Sequence, residues 1–134
     1  MELSGAASQR LEDLGLATLY LFGSRAQGIS RSLSDYDFGL LLKDPLLIKN
    51  GSQKLYQEIY EILEGEVSKR VNLDIVFLDG APLQLRYHVI RYGKVLLNAD
   101  PSRRGDFEER TLEEHADFEP YRRLFEESTL ARIP

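Results

Sequence analysis

The sequence predicts an α+β domain, in which a small mixed sheet is flanked by helices and followed by a helical tail. Three observations predict it. Apolar runs of strand length recur at 17–22, 35–42, 71–77 and 94–97. Between them lie stretches whose apolar residues repeat at helical spacing, and everything after Pro101 is charged and helix-favouring. Strands alternating with helices in a chain of 134 residues make one compact domain, with a core at about 1–100 and a tail at about 101–134.

Each element has its own local reason. Residues 8–15 read as a short helix closed by Gly15, because glycine readily takes the left-handed cap position. The run Ala17-Thr18-Leu19-Tyr20-Leu21-Phe22 is too densely apolar for a one-sided strand and reads as a buried one, ending at Gly23. Ser24-Arg25-Ala26-Gln27 has the S-x-x-Q spacing of a capping box, which predicts a helix starting at Ser24. Gly28 to Ser34 is a polar loop. The next strand holds Asp35 and Asp37, continues through Leu42 and stops at Asp44-Pro45.

A longer helix succeeds the Asn50-Gly51 turn. Leu55, Ile59, Ile62, Leu63 and Val67 form its buried stripe, and Gln57, Glu58, Glu61 and Glu64 its solvated face. Residues 71–77 form a third strand, with Leu73, Ile75 and Phe77 on one face and Asp74 and Val76 on the other. Asp79-Gly80 turns the chain into a helix at 82–92, with Leu83, Tyr87 and Ile90 inward. Gly93 ends that helix, and 94–97 is a short strand. In the tail, Pro120 is expected to break or kink the helix. The tail's Phe107, Leu112, Phe118, Tyr121, Leu124 and Phe125 predict packing against something along much of its length.

Composition narrows the function classes. A net charge of −5 argues against a nucleic-acid binder that relies on bulk electrostatics. The absence of cysteine excludes disulfides, thiolate metal sites and a catalytic thiol. The first residues lack the basic and apolar regions of a signal peptide, and no apolar run approaches membrane-spanning length, so the expected compartment is the cytoplasm.

The chemistry centres on the acidic residues. Asp35 and Asp37 are i and i+2 on an extended strand, so their carboxylates share a face and repel unless a cation lies between them. Paired hard oxygens suit Mg²⁺. Ten residues upstream, Gly23-Ser24 reads as a turn into a helix N-terminus, where backbone N–H groups attract phosphate. Asp74 lies on a strand of its own among apolar residues. If that strand neighbours the Asp35/Asp37 strand, three carboxylates converge in the layout of two-metal nucleotidyl transfer. Asp35, Asp37 and Asp74 are therefore the candidate metal ligands and catalytic residues, with Asp74 placed to orient or deprotonate the nucleophile. Gly23, Ser24 and Arg25 are the candidate nucleotide-binding residues.

Gly23-Ser24, ten intervening residues, then Asp35-Tyr36-Asp37, with Asp74 as third carboxylate, resembles the signature of the DNA polymerase β-like nucleotidyltransferase superfamily. The Gly23-Ser24-Arg25-Ala26-Gln27-Gly28 form, the small size and the run from Arg91 to Leu97 resemble its minimal (MNT-type) members, antitoxins that act beside HEPN-domain ribonuclease toxins. The resemblance implies a palm-like sheet with helices on one side, two Mg²⁺ ions and ATP as substrate. It also implies transfer of AMP to a tyrosine hydroxyl of a HEPN-type toxin. An acidic chain of this size leaves no room for the domains that grip a nucleic-acid template.

Other readings stand beside these. The site would also serve an enzyme modifying a small hydroxylated molecule such as an aminoglycoside, or persist in a non-catalytic antitoxin that only masks its toxin. Ser24 serves equally as a helix cap. Arg25 and Arg31 either contact phosphates or are solvated loop charges, and Lys94 reads as an ordinary strand-start lysine. His88 and His115 lack ligand-like partners and read as structural or surface residues. Glu108, Glu109, Glu113 and Glu114 read as a solvated face, and the seven tyrosines as core or edge residues. The tail would pack on its own domain, form a homo-oligomer or contact a toxin.

Overall fold

The computed structural model describes residues 1–28, 35–48, 52–67 and 71–131, with side chains to Phe125. Arg31, Ser34 and the Asn50-Gly51 pair lie outside the described residues. In chain order the elements are α1 (Gly5–Asp13), β1 (Leu16–Phe22), β2 (Tyr36–Leu42), α2 (Ser52–Glu64), β3 (Leu73–Phe77), α3 (Leu83–Tyr92), β4 (Lys94–Asn98) and α4 (Pro101–Ala131). The four strands form one mixed sheet in the order β3-β2-β1-β4. β1 is antiparallel to both β2 and β4, and β2 is parallel to β3.

Ser4 caps α1, its hydroxyl accepting from the Ala7 N–H at 3.1 Å, and Gly15 turns the chain into β1 with φ +97°. A side chain at Gly15 would be strained there and would also meet Leu47. β1 is apolar along its length because it is central and covered on both faces, with Leu16 to Leu21 all buried. Side-chain alternation sorts the sheet into two layers. Leu19, Leu21, Phe38, Leu40, Leu42 and Leu73 point to α1 and α2, where they meet Leu11, Ile59, Ile62 and Leu63. Tyr20 and Leu41 point the other way and meet Leu78, Val89 of α3 and Phe107 of α4.

Helices therefore cover both faces, not the single face expected. Apolar side chains alternate to both sides of β1 and β2, and a helix layer on one face would leave the Tyr20 and Leu41 side in water. The inward stripe of α3 also differs from expectation. Val89 is its buried residue, with Leu85 and Ile90 packed beside it, whereas Tyr87 turns to α4 and stacks on His115 at 3.5 Å between ring centroids. α2 holds the expected stripe, with Ile59, Ile62 and Leu63 buried.

α4 begins under a clear signal. The Asp100 carboxylate accepts from the Arg103 N–H at 3.1 Å, and Pro101 occupies the first helical position, where its missing N–H costs nothing. The helix then runs through Pro120 without a break, so one lost backbone hydrogen bond is tolerated within a long helix. Its first half is tied to the domain. Arg103 donates to the Leu42 carbonyl at 3.0 Å and pairs with Asp79. Tyr20 Oη donates to Glu108 at 2.8 Å, and Glu108 also accepts from Arg104 at 2.9 Å. Arg86 of α3 pairs with Glu114 at 2.9 Å. Burial, the bond to Glu108 and that carboxylate's charge together hold the Tyr20 hydroxyl well above its ordinary pKa. Glu108 is thus a structural tie and not the solvated residue expected.

The second half of α4 is different. Phe118, Tyr121, Leu124 and Phe125 are exposed, Phe125 at 74%. Among the described residues, the buried side chains of α4, Phe107 and Thr111, lie in its first half. Among the described residues, no helix is long and apolar enough to cross a membrane.

Candidate active site

The acidic residues meet through strand register. Asp37 of β2 pairs with Asp74 of β3 across the parallel ladder, and with Phe22 of β1 across the antiparallel one. Residues in register on neighbouring strands project to the same face. Phe22, Asp37 and Asp74 thus form a row across three strands. The row lies on the α3 and α4 side, because Phe38 next to Asp37 points into the α1 and α2 core. Asp35 stands just ahead of β2, not within the strand as expected, and is exposed, as is Asp74. Asp37 is half-buried between them.

The electrostatics register this convergence. Burial pushes the Asp37 carboxyl above the usual carboxylate range, and the negative charges of Asp74 and Asp35 push it further. Among the described residues, no three Asp, Glu or His side chains are drawn into a metal-ligating cluster. The donor set nonetheless suits a hard cation: it is all carboxylate oxygen, one member is half-buried, and the charges repel one another.

Gly23 closes the other side of the row. Its φ is +74°, and a Cβ there would overlap Asp37 Oδ2. Only glycine lets the backbone after β1 pass this close to the carboxylate. The segment Gly23–Arg25 is one 3₁₀ turn, with the Gln27 N–H bonded to the Gly23 carbonyl at 3.3 Å. Gly28, at φ +71°, stands at its end. The helix expected from Ser24 is therefore a single tight turn in the described residues, and the capping-box reading fails because the turn closes before a second helical turn forms. Ser24 lies within it, half-exposed. The Arg25 guanidinium lies over the Tyr36 ring, 4.1 Å from its centroid. Tyr36 faces the α1 and α2 side with Phe38, its stacking partner, so Arg25 engages the face opposite the Asp37 carboxylate.

Strand parity could have signalled one neighbour that the sequence reading passed over. Phe22 lies two residues from Tyr20 and one before Gly23, so alternation places its ring on the carboxylate face. His88 then packs edge-on against it, the centroids 6.5 Å apart and the rings at 80°.

A mixed sheet carrying a D-x-D strand beside a third aspartate strand, entered by a glycine turn, defines a nucleotidyltransferase-type domain. The family model described as polymerase beta, nucleotidyltransferase matches residues 9–102, and the chain belongs to that family. No curated protein sequence matches the chain. Among solved structures it is similar to a chain of a toxin–antitoxin complex with AMP-PNP, at 24% identity and TM-score 0.69 over 91% of this chain and 94% of that one. It is also similar to a chain of the MntA–HepT toxin–antitoxin complex, at 20% identity and TM-score 0.60 over 95% and 99%. A third similarity is to a chain of the complex between a tri-AMPylated Shewanella oneidensis HEPN toxin and its MNT antitoxin, at 19% identity and TM-score 0.59 over 93% and 97%. Identities this low establish a common fold.

Proposed function

We propose that this nucleotidyltransferase is a cytoplasmic antitoxin that transfers AMP from ATP to a tyrosine hydroxyl of a cognate HEPN-type toxin. The observation that carries the chemistry is the in-register pairing of Asp37 with Asp74, beside Asp35 and under Gly23. The solved relatives support the acceptor, since one is a complex with a nucleotide analogue and another holds an AMPylated toxin.

Asp35, Asp37 and Asp74 would hold Mg²⁺, two ions in this reading, which when bound neutralises phosphate charge and acidifies the attacking hydroxyl. The chain's own groups do the rest. The Gly23-Ser24 turn presents backbone N–H groups to the triphosphate, and the missing side chain at Gly23 lets that turn lie against Asp37. Asp74, exposed on an edge strand, takes the proton as the tyrosine oxygen attacks the α-phosphorus. A new P–O bond forms to the tyrosine, the bond between the α-phosphorus and the bridging oxygen breaks, and pyrophosphate leaves. Each AMP added places a phosphodiester charge and a bulky base on the toxin, which would block an RNA-binding surface. The second half of α4 is the face we assign to the toxin, because Phe118, Tyr121 and Leu124 expose large apolar side chains along it.

The test is incubation of the purified protein with Mg²⁺, α-labelled ATP and the HEPN protein encoded beside it, in parallel with an Asp35→Asn/Asp37→Asn variant. Label is expected on the toxin with wild type alone. No label, together with equal protection of cells by both forms, would sink the enzymatic reading. Label on a small hydroxylated compound would replace the acceptor.

A further inference from the structure

We propose that Phe22, His88 and Tyr92 form a shelf on which the base of the nucleotide stacks. This inference rests on the nucleotidyl-transfer reading and adds to it the residues that hold the non-reacting end of the substrate. The shelf is continuous with the carboxylate row. Phe22 is the register partner of Asp37 on β1. The His88 ring meets Phe22 edge-on at 6.5 Å, and the Tyr92 ring, one helical turn along α3, lies 5.2 Å from His88 at 48°. Three rings therefore lead outward from the site along the α3 side.

The outermost ring is not needed by the fold. Tyr92 is 49% exposed and belongs to neither apolar core. An exposed ring beside half-buried ones, at the lip of an acidic site, offers a flat apolar surface where the surrounding groups are charged. The Arg91 guanidinium, 5.7 Å from the Tyr92 centroid, adds a cation at the same rim. Its positive charge offsets the repulsion that three carboxylates would exert on an incoming nucleotide.

The position of the shelf selects its occupant. Gly23 comes directly after Phe22, so the rings stand at the phosphate-cradle end of the row. Asp74 stands at the opposite end, on the edge strand β3. A nucleotide whose phosphates lie on the Gly23-Ser24 turn has its base within reach of the rings. The acceptor enters from the Asp74 side, where β3 is the edge strand among the described residues. A nucleobase stacks on aromatic side chains without needing directional hydrogen bonds, and the loss of one such ring weakens binding by about 5- to 100-fold.

Calorimetry with two ligands tests this, Mg·ATP and Mg·tripolyphosphate, since the second carries the phosphates and no base. Wild type is expected to bind ATP the more tightly. Tyr92→Ala should weaken ATP binding by about 5- to 100-fold and leave tripolyphosphate unchanged. Tyr92→Phe should restore ATP affinity, and His88→Ala should repeat the selective loss, with thermal melts confirming that each variant folds. Equal loss for both ligands, or no loss for ATP in Tyr92→Ala, overturns the shelf while leaving the phosphate site standing. Wild type binding tripolyphosphate as tightly as ATP also overturns it. Wild type binding neither ligand overturns the nucleotide-site reading and the shelf with it.

Discussion

On one face of the sheet, Leu19, Leu21, Phe38, Leu40 and Leu42 close against α1 and α2 in the larger apolar cluster. On the other face the buried apolar set is smaller, and it shares the surface with the Tyr20–Glu108–Arg104 and Arg103–Asp79 ties. That second face also carries Asp37, Asp74 and the aromatic rim. The first face is held by area removed from water, which is non-directional and tolerates little but apolar side chains. The second is held by directed polar bonds, which permit charged groups and open space beside them. The proposed site, with Asp37 half-buried and Asp35 and Asp74 exposed, stands on the second.

Four outcomes would sharpen or break this comparison. The largest is expected at Asp74→Asn and Asp37→Asn. The first should lower transfer by about 10²–10⁴-fold through loss of a proton acceptor, and the second should reduce labelling of the toxin to background, both with full folding by circular dichroism. An active Asp37→Asn variant would remove the functional meaning of the second face. Next, Phe38→Ala on the sealed face should cost about 3–5 kcal/mol in urea unfolding. Survivors at low temperature should keep the affinity for Mg·ATP. A large affinity loss without a stability loss would show that the faces are not separate.

Third, Arg103→Ala leaves Asp79 without its cation at the seam of β2, the turn after β3 and α4, and should cost about 3 kcal/mol. A cost near zero would mean that area alone holds this face too. The smallest effect concerns pH. Asp37 takes a proton more readily folded than unfolded, so the stabilisation from its protonation is complete below the ordinary carboxylate pKa. That stabilisation is lost as pH rises through the raised folded value. In metal-free buffer Asp37→Asn should therefore melt a few degrees above wild type at neutral pH, with the gap closing in acid. Mg²⁺ should raise the wild-type melting temperature and leave the variant's unchanged. A gap independent of pH would deny the repulsion.

How much was legible can be judged residue by residue. The strand 17–22 was readable because a continuous apolar run has few other homes, and the stripe of α2 was readable because Leu55, Ile59, Ile62 and Leu63 keep one helical period. Val67, expected in that stripe, lies past the helix end at Glu64. Asp35, Asp37 and Asp74 stood out because carboxylates are costly among apolar neighbours. The Ser24 helix was misread because S-x-x-Q states only that a cap is possible. Whether a helix continues depends on the residues beyond the cap, and Gly28 turns left-handed there. The α3 stripe was read correctly at Ile90 and misread at Leu83 and Tyr87, because these fit helical spacing as well as Leu85 and Val89 do. The choice belongs to α4, whose His115 takes Tyr87. Of the break or kink expected at Pro120, a break is absent, since the helix is continuous from Pro101 to Ala131.

The sequence by itself singled out the residues of the candidate site: paired carboxylates two residues apart, a glycine turn before them and a third carboxylate on another strand. Local spacing settles these because strand alternation and turn geometry act over a few residues. Only the tertiary structure decided that Asp74 stands beside Asp37, that Phe22, His88 and Tyr92 run outward from them, and that Phe118, Tyr121 and Leu124 of α4 are exposed. Strand order and helix docking depend on contacts between residues far apart in the chain, and the burial that fixes them is non-directional. No local pattern encodes it.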